Sequence, residues 1–246
     1  MKILVVGGGG REHAIVWKIA QSPKVDKIYC APGNGGIAEL AECVDIAATD
    51  IENMVKFAKD NAIDLVMVAP DDPLVLGMVD AMEKEGIRAF GPRANAAIIE
   101  GSKAFSKELM KKYNIPTANY EVFTDSTSAI DYIKAQNTFP TVIKADGLAL
   151  GKGVIIAQNL EEAEQAVHEM IDDGKFGKSG SRVVIEEFLT GPEVSVLAFT
   201  DGKTVKPMVS AQDHNTCLKD VAAGSPVAFF NSLTNCQPLN ASKKLI

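Results

Sequence analysis

The 246-residue sequence is 46% hydrophobic and 23% charged, the balance of an ordinary globular chain rather than a disordered or fibrous one. A net charge of -7 and a pI near 5.1 argue against a nucleic-acid surface, which needs clustered Lys and Arg, and leave room only for a local basic site facing a phosphorylated small molecule. No apolar run reaches the roughly 18 residues a bilayer span needs, the Met1-Lys2 start is no signal peptide, and four cysteines without CxxC spacing read as reduced thiols in a cytoplasmic protein with no structural zinc.

In chain order, "KILVVG" reads as a buried strand and "REHAIVWKIAQS" as a helix with Ile15 and Ile19 on one face. "KIYCA" is a second strand, closed by "PGNGG"; "IENMVKFAKDNA" is a helix and "IDLVMVAP" a third strand. "PLVLGMVDAMEKEG" is a helix and "IRAFGP" a fourth strand. Strict alternation predicts an α/β doubly wound domain over residues 1–101, a parallel sheet with helices on both faces.

From Ser102 the rhythm changes. "SKAFSKELMKKYN" is helical with Ser102 as N-cap, "IPTANYEVF" is extended, and "DSTSAIDYIKAQN" is a helix capped by Asp125 or Ser126. "PTVIKAD" and "KGVIIAQN" flank a glycine-rich turn as a hairpin. "LEEAEQAVHEMIDD" is a helix, "SRVVIEEFL" a strand, and "PEVSVLAFTDGKTVKPMVSAQ" two strands about Asp201-Gly202. Helices on an antiparallel sheet predict a separate α+β domain over 102–214, with its inner lobe at about 118–190. Residues 215–246 have few charges, no sustained period and no clear element beyond "PVAFF"; no internal repeats occur.

Two glycine loops carry candidate chemistry. "ILVVGGGGREHA" is a strand, a glycine turn and a helix start, whose N–H groups suit a phosphate or carboxylate. It fails the dinucleotide fingerprint, since Glu12 or His13 falls where the last Gly or Ala belongs and no acid follows the second strand. A tight turn without a ligand is the alternative, and the role of His13 stays open. The second loop, "VIKADGLALGKGVIIA", is no Walker motif: Gly153 stands where Ser or Thr should be, and the apolar "VIIA" makes the loop join two strands. It reads as a glycine lid over a phosphate chain.

Lys144 lies within the apolar strand "VIKAD", a costly place for a cation without an anion, unless it is a half-exposed edge residue. Lys103 stands at a helix N-terminus, where a cation is disfavoured without an anion, unless it is a plain surface lysine. The strand end Glu186-Glu187-Phe188-Leu189 can offer backbone groups to an adenine edge, and Glu193 can accept from ribose hydroxyls. Solvated acids at a strand end are the competing reading.

Taken in order, Lys103, "IKADGLALGKGV" and "VIEEFLTGPEVS" behind a "GGGGREHA" domain resemble the ATP-grasp enzymes, most of all the phosphoribosylamine–glycine ligase (glycinamide ribonucleotide synthetase) family of purine synthesis. "PGNGG", "APDDPL", "FGP" and "SAQDH" match the same pattern, and the resemblance runs from Met1 to His214. Where the family has Gly-Pro-Glu, "APDDPL" offers Asp72 as a shorter acid. The "GGGGREHA" and "PGNGG" pair argues against biotin carboxylase and carboxyaminoimidazole synthetase.

The resemblance implies a pre-ATP-grasp domain followed by an incomplete ATP-grasp domain. It implies ATP-dependent joining of glycine to 5-phosphoribosylamine through glycyl phosphate, giving glycinamide ribonucleotide, ADP and phosphate. It assigns ATP to Lys103, Lys144, Gly147, Gly151, Lys152, Gly153, Glu186, Glu187, Phe188, Leu189 and Glu193. It assigns the other substrates to Gly8, Gly9, Gly10, Arg11, Asn34, Gly35, Asp72, Asp213 and His214. Mg²⁺ or Mn²⁺ is expected, but the Glu and Asn that hold it in the family lie beyond the point where "NTCLKDVAAGSP" departs from the pattern. The sequence therefore predicts a truncated or frameshifted product with a non-homologous tail over 215–246; a divergent tail with other ligands is the alternative. An inactive fragment that only binds nucleotide or phosphoribosyl ligand is the competing function. Partners are expected to be small molecules, with no nucleic acid and no membrane, on a monomer.

Overall fold

A computed structural model describes residues 1–148, 153–191, 194–200 and 203–211, together with the short strand Lys244–Leu245. Two compact units result, one built mainly on Met1–Ala97 and the other on Ile98–Ala198.

The first unit holds a parallel sheet of five strands, β1 (Lys2–Gly7), β2 (Lys27–Pro32), β3 (Glu42–Cys43), β4 (Leu65–Val68) and β5 (Ala89–Phe90), in the order β3-β2-β1-β4-β5. Successive β1 side chains point to opposite faces, and both faces are buried. Leu4 and Val6 pack with Met54 and Ala58 of α2 (Ile51–Asp60) and with Met78 and Met82 of α4 (Met78–Lys84). Ile3 and Val5 pack with Val16 of α1 (Gly10–Ile19) and with Ile37. The expected doubly wound unit is present, with local differences. "IRAFGP" pairs over only two residues, β3 adds an edge strand that no periodicity announces, and "PLVLGMVDAMEKEG" splits into α3 (Asp71–Val75) and α4. The split falls at Gly77, whose φ of 87° is left-handed and ends a helix.

The second unit takes in the end of α5 (Ala94–Gly101) and then α6 (Lys103–Lys112), capped by Ser102, whose hydroxyl accepts from the Phe105 N–H at 3.1 Å. Then come β6 (Tyr120–Phe123), α7 (Ser126–Gln136), β7 (Thr141–Ala145), β8 (Val154–Ala157), α8 (Leu160–Ile171) and β9 (Val183–Glu187). The four strands form an antiparallel sheet, β6-β9-β7-β8. Asp125 caps α7, and Asn159 caps α8 by accepting from the Glu162 N–H at 3.0 Å. Ile143, Ala145, Val183 and Ile185 face α7 and α8, meeting Ile133, Ala163, Val167 and Met170. Alternation turns Lys144 and Glu186 to the opposite face of the same sheet. Two short strands, β10 (Ala198–Thr200) and β11 (Val205–Pro207), follow. The turn Asp201-Gly202 and "PVAFF" lie outside the described residues. Among the described residues no helix is long and apolar enough to cross a membrane.

Candidate functional site

The central strands of the antiparallel sheet and helix α6 bring three lysines round one glutamate. Lys144 Nζ donates to Glu186 Oε2 at 3.1 Å, and Lys107 Nζ lies 3.1 Å from the same oxygen. All three side chains are buried: 0% of Lys107, 4% of Lys144 and 1% of Glu186 is exposed. Lys107 also donates to Thr117 Oγ1 at 2.7 Å and stands 5.5 Å from the centre of the Tyr120 ring. Glu186 Oε1 is buried and has no hydrogen-bond partner among the described residues. Removing the shared carboxylate of Glu186 would leave buried ammonium groups without their counter-charge, at a cost of about 3–5 kcal/mol.

Lys103, one turn before Lys107 on α6, donates to the Gly147 carbonyl at 3.0 Å, at the base of the hairpin turn. Burial pushes its amine below the ordinary lysine range, and the charge of Lys144 pushes it further. Burial lowers Lys107 too, opposed by Glu186. Lys103, Lys107 and Lys144 thus gather about Glu186, with Glu100 and Asp146 also acting on Lys103 and Glu187 on Lys107, and ammonium groups grouped in this way suit a phosphorylated ligand.

Asp146, just past β7, joins the hairpin to α6. Its carboxylate accepts from the Ser102 hydroxyl at 3.0 Å and from the Ala104 N–H at 2.7 Å, and its carbonyl accepts from the Lys103 N–H at 2.9 Å. Arg182, at the start of β9, donates to the same carboxylate through Nε at 2.9 Å and also through Nη2. The first turn of α6 therefore already holds a carboxylate, and Lys103 is aimed by this frame.

In the first unit, the C-terminal ends of β1 and β4 lie side by side at the point where strand order reverses, the usual ligand position in an open parallel sheet. Gly7 has φ 116°, and a Cβ there would stand 2.7 Å from Pro70 Cγ and 2.8 Å from Glu12 Cγ. A Cβ on Gly8 would stand 2.4 Å from the Gly33 carbonyl. Asn34 ties the "PGNGG" loop to this turn: Nδ2 donates to the Gly8 carbonyl at 2.8 Å, and Oδ1 accepts from the Ile37 N–H at 2.9 Å. Glu12 is buried and takes the Gly9 N–H at 2.6 Å, while its Oε1 has no hydrogen-bond partner among the described residues. His13 lies against Gly36, where a Cβ would meet its Cε1 at 2.7 Å. Burial raises the carboxyl of Asp71, and Arg11 opposes the rise. Cys30 donates to the Gly7 carbonyl at 3.2 Å, and burial pushes its thiol up to about 12.

The structure thus brings Lys103, Lys144, Gly147 and Glu186 into one cluster, and Gly8, Gly9, Gly10, Arg11 and Asn34 into one turn region. Glu187 points to the other side of β9 and is exposed, accepting from Asn119 Nδ2 at 2.8 Å. Phe188 and Leu189 follow the end of β9, half-buried, and Gly35 is exposed. Gly153 is buried at the start of the returning strand, and its carbonyl accepts from the Ala145 N–H at 2.8 Å. Gly151, Lys152, Glu193, Asp213 and His214 lie outside the described residues. Sequence reasoning passed over Lys107, Asp146, Arg182, Glu12 and Asp71. Only Lys107 had a signal, its four-residue spacing from Lys103 on one helix. Among the described residues no group of three or more His, Cys, Asp or Glu fits a metal ion.

Residues 1–100 match the family model of the phosphoribosylglycinamide synthetase N domain, and residues 101–224 match that of its ATP-grasp (A) domain. A phosphoribosylamine–glycine ligase of Halalkalibacterium halodurans is 50% identical over 248 residues, covering 98% of this chain and 58% of the relative. One of Haemophilus influenzae is 54% identical over 216 residues, covering 87% of this chain and 50% of the relative. The chain spans about half the length of the curated relatives it matches. The crystal structure of phosphoribosylamine–glycine ligase from Thermotoga maritima superposes with a TM-score of 0.71 at 30% identity, covering 87% of this chain and 50% of that one. The N5-carboxyaminoimidazole ribonucleotide synthetase of Thermotoga maritima, 18% identical with a TM-score of 0.63, shares the fold; the match covers 96% of this chain and 62% of that one.

Proposed function

The chain belongs to the phosphoribosylglycinamide synthetase family, and on that premise we propose that it takes part in ATP-dependent ligation of glycine to 5-phosphoribosylamine. The observation that carries this reading is the cluster in which Lys103 and Lys107 of helix α6 and Lys144 of β7 gather about Glu186, on the face of the antiparallel sheet opposite α7 and α8.

Phosphoryl transfer asks a protein for charge neutralisation and alignment rather than a nucleophilic side chain. Lys103 and Lys144 neutralise phosphate oxygens, and the hairpin from Gly147 to Gly153, including Gly151 and Lys152, excludes water. Exclusion matters because an acyl phosphate hydrolyses readily. Glu193 accepts from the ribose, and the strand end Glu186–Leu189 meets the base. A glycine carboxylate oxygen attacks the γ-phosphorus and ADP leaves. The amine of 5-phosphoribosylamine then attacks the acyl carbon, phosphate leaves, and the nitrogen loses a proton. The glycine turn of the first unit, with Arg11, Asn34, Gly35 and Asp72, holds the phosphoribosyl group, and Asp213 and His214 bind substrate. Mg²⁺ or Mn²⁺ is expected of the family, with its ligands beyond the part of the chain that matches the pattern, and no step here is routed through a metal. We expect a monomer in the cytoplasm whose partners are small molecules.

The test is a coupled assay for ADP with the chain, ATP, glycine and freshly formed 5-phosphoribosylamine. ADP that appears only when both substrates are present supports the reading; ADP release independent of either substrate, or none at all, overturns it for this chain.

A further inference from the structure

We propose that Lys107 is a positioning residue: it holds the Glu186 carboxylate so that Lys144 can turn from that carboxylate to an incoming phosphate. The proposal deepens the nucleotide reading above and rests on it.

Two buried ammonium groups reach one carboxylate oxygen at the same distance, 3.1 Å, but their settings differ. Lys107 is held from three sides, by Glu186, by the Thr117 hydroxyl at 2.7 Å and by the Tyr120 ring at 5.5 Å, and none of its side chain is exposed. Lys144 stands two residues before Asp146 and three before Gly147, beside the hairpin turn that Lys103 also touches. Lys107 meets Glu186 from helix α6, and Lys144 meets it from β7, next to the loop where phosphates are expected.

A buried carboxylate with a single cation cannot release it without being left uncompensated, a strongly unfavourable state. With a second cation fixed on the same oxygen, the first can leave. Lys107 then acts as the standing counter-charge of Glu186 while Lys144 turns to the ligand. A purely structural role is a poor account of Lys107, because an apolar side chain would fill the space without the desolvation that lowers its amine.

The experiment uses the whole chain, with ATP and adenosine as probes and affinities read by NMR titration. The ratio of the two affinities isolates the phosphate-dependent part of binding. Lys107→Met is expected to weaken ATP by about tenfold or more while adenosine changes little. Adding Glu186→Gln to Lys107→Met is expected to restore most of the ATP-to-adenosine ratio, since no carboxylate remains to retain Lys144. Equal losses for both probes, an unchanged ratio, or no recovery in the double variant each overturn the proposal. Wild-type protein that fails to bind ATP overturns the nucleotide reading and this inference with it. Wild-type binding with an unmoved ratio in Lys107→Met overturns this inference alone. If circular dichroism shows Lys107→Met unfolded, Thr117→Val loosens the same ammonium group and is expected to lower the ratio by a smaller factor; an unchanged ratio there overturns the proposal.

Discussion

Burial and the neighbouring charge of Lys144 both oppose the charged form of Lys103. Its folded pKa lies below the ordinary 10.5, so a neutral fraction grows as pH rises toward the folded value. A bound polyanion favours the charged form, so nucleotide binding takes up protons in alkaline solution. Calorimetry of ATP binding in buffers of different ionisation heat is expected to show larger proton uptake at pH 9.5 than at pH 7; uptake that is nil at both would contradict this. At this scale the sequence was legible where a residue broke its own local pattern. Lys144 interrupts an apolar strand and Lys103 stands at the wrong end of a helix, so each announced an anion. Lys107 broke no pattern, because lysine in mid-helix is ordinary. Its burial comes from Thr117 and Tyr120, ten and more positions along the chain. Asp71 shows the same limit: burial raises its carboxyl against the charge of Arg11, and neither burial nor that neighbour is visible in "APDDPL".

Helix α6 is aimed by Asp146, which satisfies the first turn of the helix while taking a two-pronged contact from Arg182. Asp146→Asn keeps one acceptor for Ser102 and Ala104 but drops the charge that Arg182 answers. Arg182 is about half exposed, so the expected loss is modest, about 1–2 kcal/mol, or a fall in Tm of roughly 2–8 °C by calorimetry. An unchanged Tm would show the contact to be idle. Long elements were readable because period and cap agreed: Ser102 and Asp125 each begin the helix that their side chains suggest. The two-residue strands and the break at Gly77 were not readable. Two residues hold no period, and a single glycine within a helical pattern marks a stop only when its φ is known.

Across the whole molecule the sequence signal was the change of rhythm near Ser102, which separates a parallel sheet from an antiparallel one. The diagonal placement of Lys144 and Glu186 on one face depends on the pairing of β7 with β9, which alternation within either strand does not reveal. The five-stranded and four-stranded sheets each have inner strands covered by apolar clusters of their own. Hydrogen exchange is therefore expected to find the slowest amides in β1 and β4 of one unit and in β7 and β9 of the other. Slow exchange concentrated in β3 or β8 instead would contradict these core assignments. The lengths of the edge strands bear on how copies of the chain behave when crowded together. Both rims of the parallel sheet are two residues long, leaving almost no unpaired backbone for another molecule to extend. The antiparallel sheet ends on the uncharged strand Val154–Ala157, with Val154 39% exposed. Heat-induced clumping would begin along that rim, and a charge there would act as its gatekeeper.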